Sequence, residues 1–143
     1  MLSISSHSQS RDAGFTLIEL LMVVAIIALL ASIAIPQYSA FKERAINASM
    51  VNDARNALIQ EEAYFVDAKT YLALPALTGP SSVTIGTAYF VVSKDNVLTI
   101  TAGAGGIADS YIVSVTNPNS TGAHGTVTML TDGTCSWSGG AAC

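Results

Sequence analysis

The residues from Leu20 to Ile35 include no charge, and with Phe15 to Ile18 in front of them they form an apolar stretch. At about 1.5 Å of rise per residue, that stretch is long enough as a helix to cross a hydrocarbon core of roughly 30 Å. It reads as a membrane helix running to Pro36. The competing reading is the buried helix of a soluble protein, which the length and unbroken apolar composition disfavour. One acid interrupts the pattern, Glu19. An isolated carboxylate costs a few kcal/mol in lipid, so Glu19 is a functional-site candidate that needs a partner.

An apolar segment near an N-terminus also describes a secretory signal peptide. Here the apolar stretch exceeds a typical signal core, no small-x-small cleavage site follows Ile35, and helical patterning continues through Tyr38 and Phe41. The sequence suggests a different cut, at the abrupt change from a polar leader ending at Gly14 to an apolar helix starting at Phe15.

Gly14-Phe15-Thr16-Leu17-Ile18-Glu19, the apolar run behind it and Ile35-Pro36 together resemble the N-terminal signature of type IV pilins and their relatives. The resemblance implies a prepilin peptidase that cuts after Gly14 and methylates the new N-terminus on Phe15. Residues 1–14 are then the leader, 15–36 the membrane-spanning and filament-core half of a long helix, 37–68 its amphipathic half, and 69–143 a connecting loop, a sheet and a C-terminal disulfide region. It further implies that Glu19 meets the N-terminus of a neighbouring subunit and so sets the register of a homopolymeric filament. Cleavage would leave an ammonium group on Phe15, as poorly solvated in lipid as the carboxylate, and pairing the two would remove most of both penalties. Phe15 and Glu19 are one helical turn apart, so the same pair can also close within one chain.

The function implied is that of a major pilin, a structural subunit without enzymatic activity. It would be inserted in the inner membrane with its globular part periplasmic and assembled by the inner-membrane pilus machinery into an extracellular filament. The alternative from the same resemblance is a pseudopilin of a type II secretion system. Composition agrees with a small domain on a membrane segment: of 143 residues, 50% are hydrophobic and 11% charged, and the mean hydropathy is +0.48. The net charge is −4, and beyond Tyr71 the only charged side chains are Lys94, Asp95, Asp109 and Asp132. No basic surface for nucleic acid is available there.

Beyond Pro36 the pattern becomes amphipathic. Met50, Val51, Ala54, Ala57, Leu58, Tyr64 and Phe65 share one side at helical spacing, and Ser49, Asn52, Asp53, Asn56 and Gln60 the other. Pro36 lies inside the continuous pattern and is expected to bend the helix rather than stop it, and Ala68 is its expected end. From Lys69 to Thr87, Pro75, Gly79, Pro80 and Gly86 predict an irregular connection. Ala88 to Ser93 and Val97 to Ala102, flanking Lys94-Asp95-Asn96, predict a hairpin, with further strands at Tyr111 to Thr116 and Thr126 to Thr131. The fold class expected is α+β, a long N-terminal α-helix packed on a four-stranded antiparallel meander whose outer face carries Thr and Ser.

Cys135 and Cys143 form an even pair in a small domain, which points to an oxidising compartment. The resemblance makes them the C-terminal disulfide, with free thiols or a metal pair as weaker alternatives because seven intervening residues do not match the usual zinc-ligand spacing. No cofactor or metal site is expected. His7 falls in the leader, and His124 in a glycine-rich loop reads as solvated rather than as a general base. Asp132-Gly133 reads as a turn rather than a calcium site, and Asn119-Ser120-Thr121 matches a glycosylation pattern that is frequent by chance. The aromatic residues Phe15, Tyr38, Phe41, Tyr64, Phe65 and Tyr71 read as packing groups rather than as an electron-conducting array.

Overall fold

The computed structural model describes residues 14–143, so the expected leader other than Gly14, with His7 in it, lies outside the described residues. The chain divides into two compact units, the described part of the first ending at Tyr38 and the second being Ser39–Cys143. A single helix, α1 (Leu17–Ala68), runs through both and ends where the amphipathic pattern predicts. It continues through Pro36 without a stop. In the first unit every side chain of the helix is exposed except half-buried Ala31.

In the second unit α1 buries Met50, Ala54 and Ala57 against an antiparallel sheet. The sheet has five strands in the order β1 (Leu74–Thr78), β4 (Val97–Ala102), β5 (Tyr111–Thr116), β6 (Thr126–Leu130), β7 (Cys135–Trp137). Alternation along these strands sends Leu98, Ile100, Tyr111, Val113, Val115, Val127 and Met129 into the core. Thr99, Ser114, Thr116, Thr126 and Thr128 take the opposite, less buried positions, as the period-2 pattern requires. The helix-on-sheet α+β class is as expected, but the strand count is larger than four. A second, two-stranded sheet pairs β2 (Ser81–Ile85) with β3 (Ala88–Val92).

Two expectations are corrected here. The stretch from Lys69 to Thr87 holds two strands instead of being irregular over most of its length. Pro75 is accommodated because β1 is an edge strand whose register with β4 shifts between Leu74 and Leu77, so its missing N–H leaves no ladder partner wanting. Gly86, at φ +64°, opens the two-residue turn between β2 and β3, and a Cβ there would stand 2.9 Å from the Tyr64 ring. The hairpin expected between the flanks of Lys94-Asp95-Asn96 does not form. β3 pairs with β2, and β4 pairs with β1 and β5. Its cause is the helix: Ser93, whose N–H such a hairpin would use, donates instead to Asp53 Oδ2 at 2.8 Å, and the Asn96 amide donates to the same oxygen at 2.7 Å.

Candidate functional site

The N-terminal segment is built from its first turn upward. Thr16 precedes the first helical residue, and its side chain and that of Glu19 close a reciprocal cap: the Thr16 N–H and hydroxyl donate to Glu19 Oε2 at 2.8 and 2.7 Å, and the Glu19 N–H donates to Thr16 Oγ1 at 3.3 Å. This is the S/T-x-x-E capping box, which satisfies backbone donors that a helix start otherwise leaves unpaired. The pattern is visible in the sequence, and it gives Glu19 a partner, Thr16, beside the Phe15 that charge pairing suggests. Gly14 and Phe15 lie just ahead of this cap, both exposed, Phe15 at 89%. Behind it the most apolar window of α1 has a mean hydropathy of 2.8, long and apolar enough to cross a membrane. Pro36 lies in the helix interior at the far end of that stretch.

The second expected site is closed. Cys135 and Cys143 are joined in a disulfide with Cα atoms 5.4 Å apart. The loop between them is tied further by the Trp137 N–H donating to the Ala141 carbonyl at 2.8 Å and by a bridge between Ser136 and Ala142. Trp137 packs edge-on against His124 with ring centroids 4.9 Å apart. His124 is therefore half-buried against an aromatic ring rather than freely solvated. Asp132 does turn the chain, its Oδ1 accepting the Thr134 N–H at 2.8 Å with Gly133 at φ +81°. Asn119 is exposed, whereas Ser120 is buried with its hydroxyl 2.8 Å from both Asn47 Oδ1 and the His124 carbonyl, sharing its one proton between them.

Two acids of α1 are in the core. Asp53, 1% exposed and expected on the solvent side, accepts from the Ser93 N–H, the Ser93 hydroxyl and the Asn96 amide. Asn96 in turn accepts from the Asn117 amide at 2.7 Å, which extends the network from helix to β5. Glu61, 0% exposed, accepts the Leu72 N–H on Oε2 at 2.9 Å, while Oε1 is buried with no hydrogen-bond partner. Burial raises the Glu61 carboxyl above its usual range, partly opposed by the Leu72 N–H, and the Glu62 charge raises it further. The Tyr111 hydroxyl donates to Glu62 Oε1 at 3.0 Å, and burial first, then Glu62, pushes the Tyr71 and Tyr111 hydroxyls up. Glu61 lies in the middle of the apolar stripe, four residues after Ala57 and seven after Ala54, so helical spacing carries a signal of its burial, whereas Asp53 lies at the stripe's margin and its donors come from a distant loop. Among the described residues no three His, Cys, Asp or Glu side chains gather where they could hold a metal ion.

Comparison with known proteins bears on the N-terminal segment. The family model described as the prokaryotic N-terminal methylation motif matches residues 9–35. The type IV major pilin protein PilA of Myxococcus xanthus is 36% identical over 66 residues, 46% of this chain and 30% of that protein. The type IV wide pilus major component PilA4 of Thermus thermophilus is 43% identical over 58 residues, 41% of this chain and 44% of its own length. A type IV major fimbrial protein FimA of Dichelobacter nodosus is 41% identical over 61 residues, 43% of this chain and 39% of that one. The chain thus spans less than half the length of each of these relatives. No solved structure matches it. The motif match lies within residues 9–35, and over the matched stretches the chain is similar to type IV major pilin and fimbrial proteins.

Proposed function

We propose, from this kinship with the type IV pilins, that the chain is the structural subunit of a type IV pilus, a major pilin with no catalytic role. The observation that carries the reading is the described part of the first unit: a helix apolar on every side from Leu17 to Ile35 and exposed except at half-buried Ala31, with Glu19 as its one charge, close behind Gly14-Phe15. A helix apolar all round needs either lipid or copies of itself, and a pilin uses first one and then the other.

In this reading residues 15–36 hold the precursor in the inner membrane with the globular part on the periplasmic side. A prepilin peptidase removes residues 1–14 by cutting after Gly14, and Phe15 is methylated. The Thr16 cap has a physical role in that sequence of events, because it gives the Glu19 carboxylate two donors while the subunit waits in lipid. After cleavage the Phe15 ammonium of an adjoining subunit offers a stronger, oppositely charged partner, and the inner-membrane assembly machinery transfers the helix from lipid into a core of identical helices. Pro36 marks the end of the segment that enters this core. No observation favours the secretion pseudopilin over the pilus subunit.

Mass spectrometry of filaments sheared from cells that make the full chain tests the reading. The expected subunit begins at Phe15 and carries one methyl group there. Filaments built of uncleaved chains, or cells that form none, overturn it.

A further inference from the structure

The globular unit is electrostatically polar along its strands. β5 runs from Tyr111 to Thr116 and β6 returns from Thr126 to Leu130, so the sheet has one end at the β4–β5 loop and the β6–β7 turn and another at Asn117, Thr126 and Trp137. The first end carries the exposed carboxylates Asp109 and Asp132, together with Asp67 and Glu62 of the last turns of α1, against Lys69. Hydrogen bonds tie these pieces together there, the Tyr71 N–H donating to the Ile107 carbonyl and the Tyr111 hydroxyl to Glu62. Asp132 is held below the usual carboxylate range by the Thr134 hydroxyl and then its N–H, so it is charged at neutral pH.

The opposite end carries Lys42, Arg44 and Arg55 on α1 and Lys94 in the turn that Asp53 draws to the helix, against Glu43 and Asp95. At that end lies an open groove of about 620 Å³, lined by Asn47, Ser49, Asn52, Arg55 and the edge of Trp137, with Ala48 and Val51. Arg55 is exposed, and its guanidinium has no ion-pair partner among the described residues. A planar cation beside amide and hydroxyl side chains suits a carboxylate, which it can engage through two parallel hydrogen bonds.

We infer that the Arg55 groove docks the acidic loop end, Asp109 and Asp132, of a second copy of this chain. The contact is head-to-tail, and a heterologous contact of that kind propagates without closing, as a filament requires. Complementary ends also fix the direction in which copies add, since two like ends repel. The inference rests on the filament reading above and adds to it a surface outside the apolar helix.

Charge exchange in the full chain tests it, with sheared filament yield normalised to the amount of membrane-held subunit. Arg55→Asp alone, and Asp109→Arg with Asp132→Arg, are each expected to lower the yield by about tenfold or more, since each places like charges in contact. All three changes together are expected to restore most of it. Blocked thiols at Cys135 and Cys143 verify that each variant is folded. Unchanged yield from Arg55→Asp, or a folded triple variant no better than its parents, overturns the contact while leaving the pilus reading intact. Wild-type chains that never polymerise overturn both.

Discussion

Two carboxylates in the core show how the number of donors decides what a buried acid does. Asp53 has three donors for its two oxygens, and it joins the helix to the turn between β3 and β4. Glu61 has one donor, the Leu72 N–H, and a bare Oε1. An oxygen buried without a donor favours the protonated form, which is the cause of the raised pKa. The folded state therefore binds the Glu61 proton more tightly than the unfolded chain, whose carboxyl titrates near 4.5. The contribution of Glu61 is most favourable below that pH, declines as pH rises through the unfolded and then the folded value, and is constant above. Urea unfolding of the full chain in detergent should show it, with Glu61→Gln gaining on wild type as pH rises from about 4.5 to 8. Parallel stability curves for the two proteins would mean that Glu61 is ionised in the fold as easily as outside it.

The elements differ in how far local signals decide them. β7 is three residues long and flanked by glycines, too little to nucleate alone. The Cys135–Cys143 bond keeps it by closing a loop of eight-residue separation. Loop-entropy reasoning puts that closure at about 2.5 kcal/mol, so replacing both cysteines by serine should lower the unfolding free energy by about that amount. Calorimetry or denaturant unfolding measures it, and an unchanged midpoint would show β7 to be held by Trp137 and its ladder alone. Periodicity made α1 legible to its last residue, and the period-2 alternation of β5 and β6 was equally plain. The partners of β3 and β4 were not, because turn residues at 94–96 advertise a hairpin and only the buried Asp53, forty residues away, diverts it. Sorting by polarity sent Asp53 to solvent and passed over Glu61, although helical spacing puts Glu61 between Ala57 and Phe65 on the apolar side. The Gly14 to Glu19 segment was readable because its chemistry is contiguous, and the Thr16 cap was written in the same six residues.

On the scale of the whole molecule the two units make opposite demands. The second unit has its own core, its own disulfide and buried polar groups mostly met from within. The described part of the first has no buried side chain, and its exposed apolar side chains must be covered by something other than their own helix. Lipid and a bundle of like helices both suit Leu, Ile and Val, so the apolar side chains alone do not distinguish the two. Glu19 does, since a carboxylate gains little in lipid beyond its Thr16 cap and much more beside an ammonium. Replacing Glu19 by Leu should therefore favour insertion while removing the preference for the assembled state. The Glu19→Leu subunit is expected in the membrane fraction at wild-type level or above, largely cleaved after Gly14, with sheared filaments reduced to a small fraction of wild type. Quantifying membrane-held subunit, mature N-terminus and filament on the same cells separates insertion, processing and assembly. Normal filament yield would refute the pairing of Glu19 with Phe15, and loss of the membrane-held subunit would mean that the acid is needed earlier than assembly.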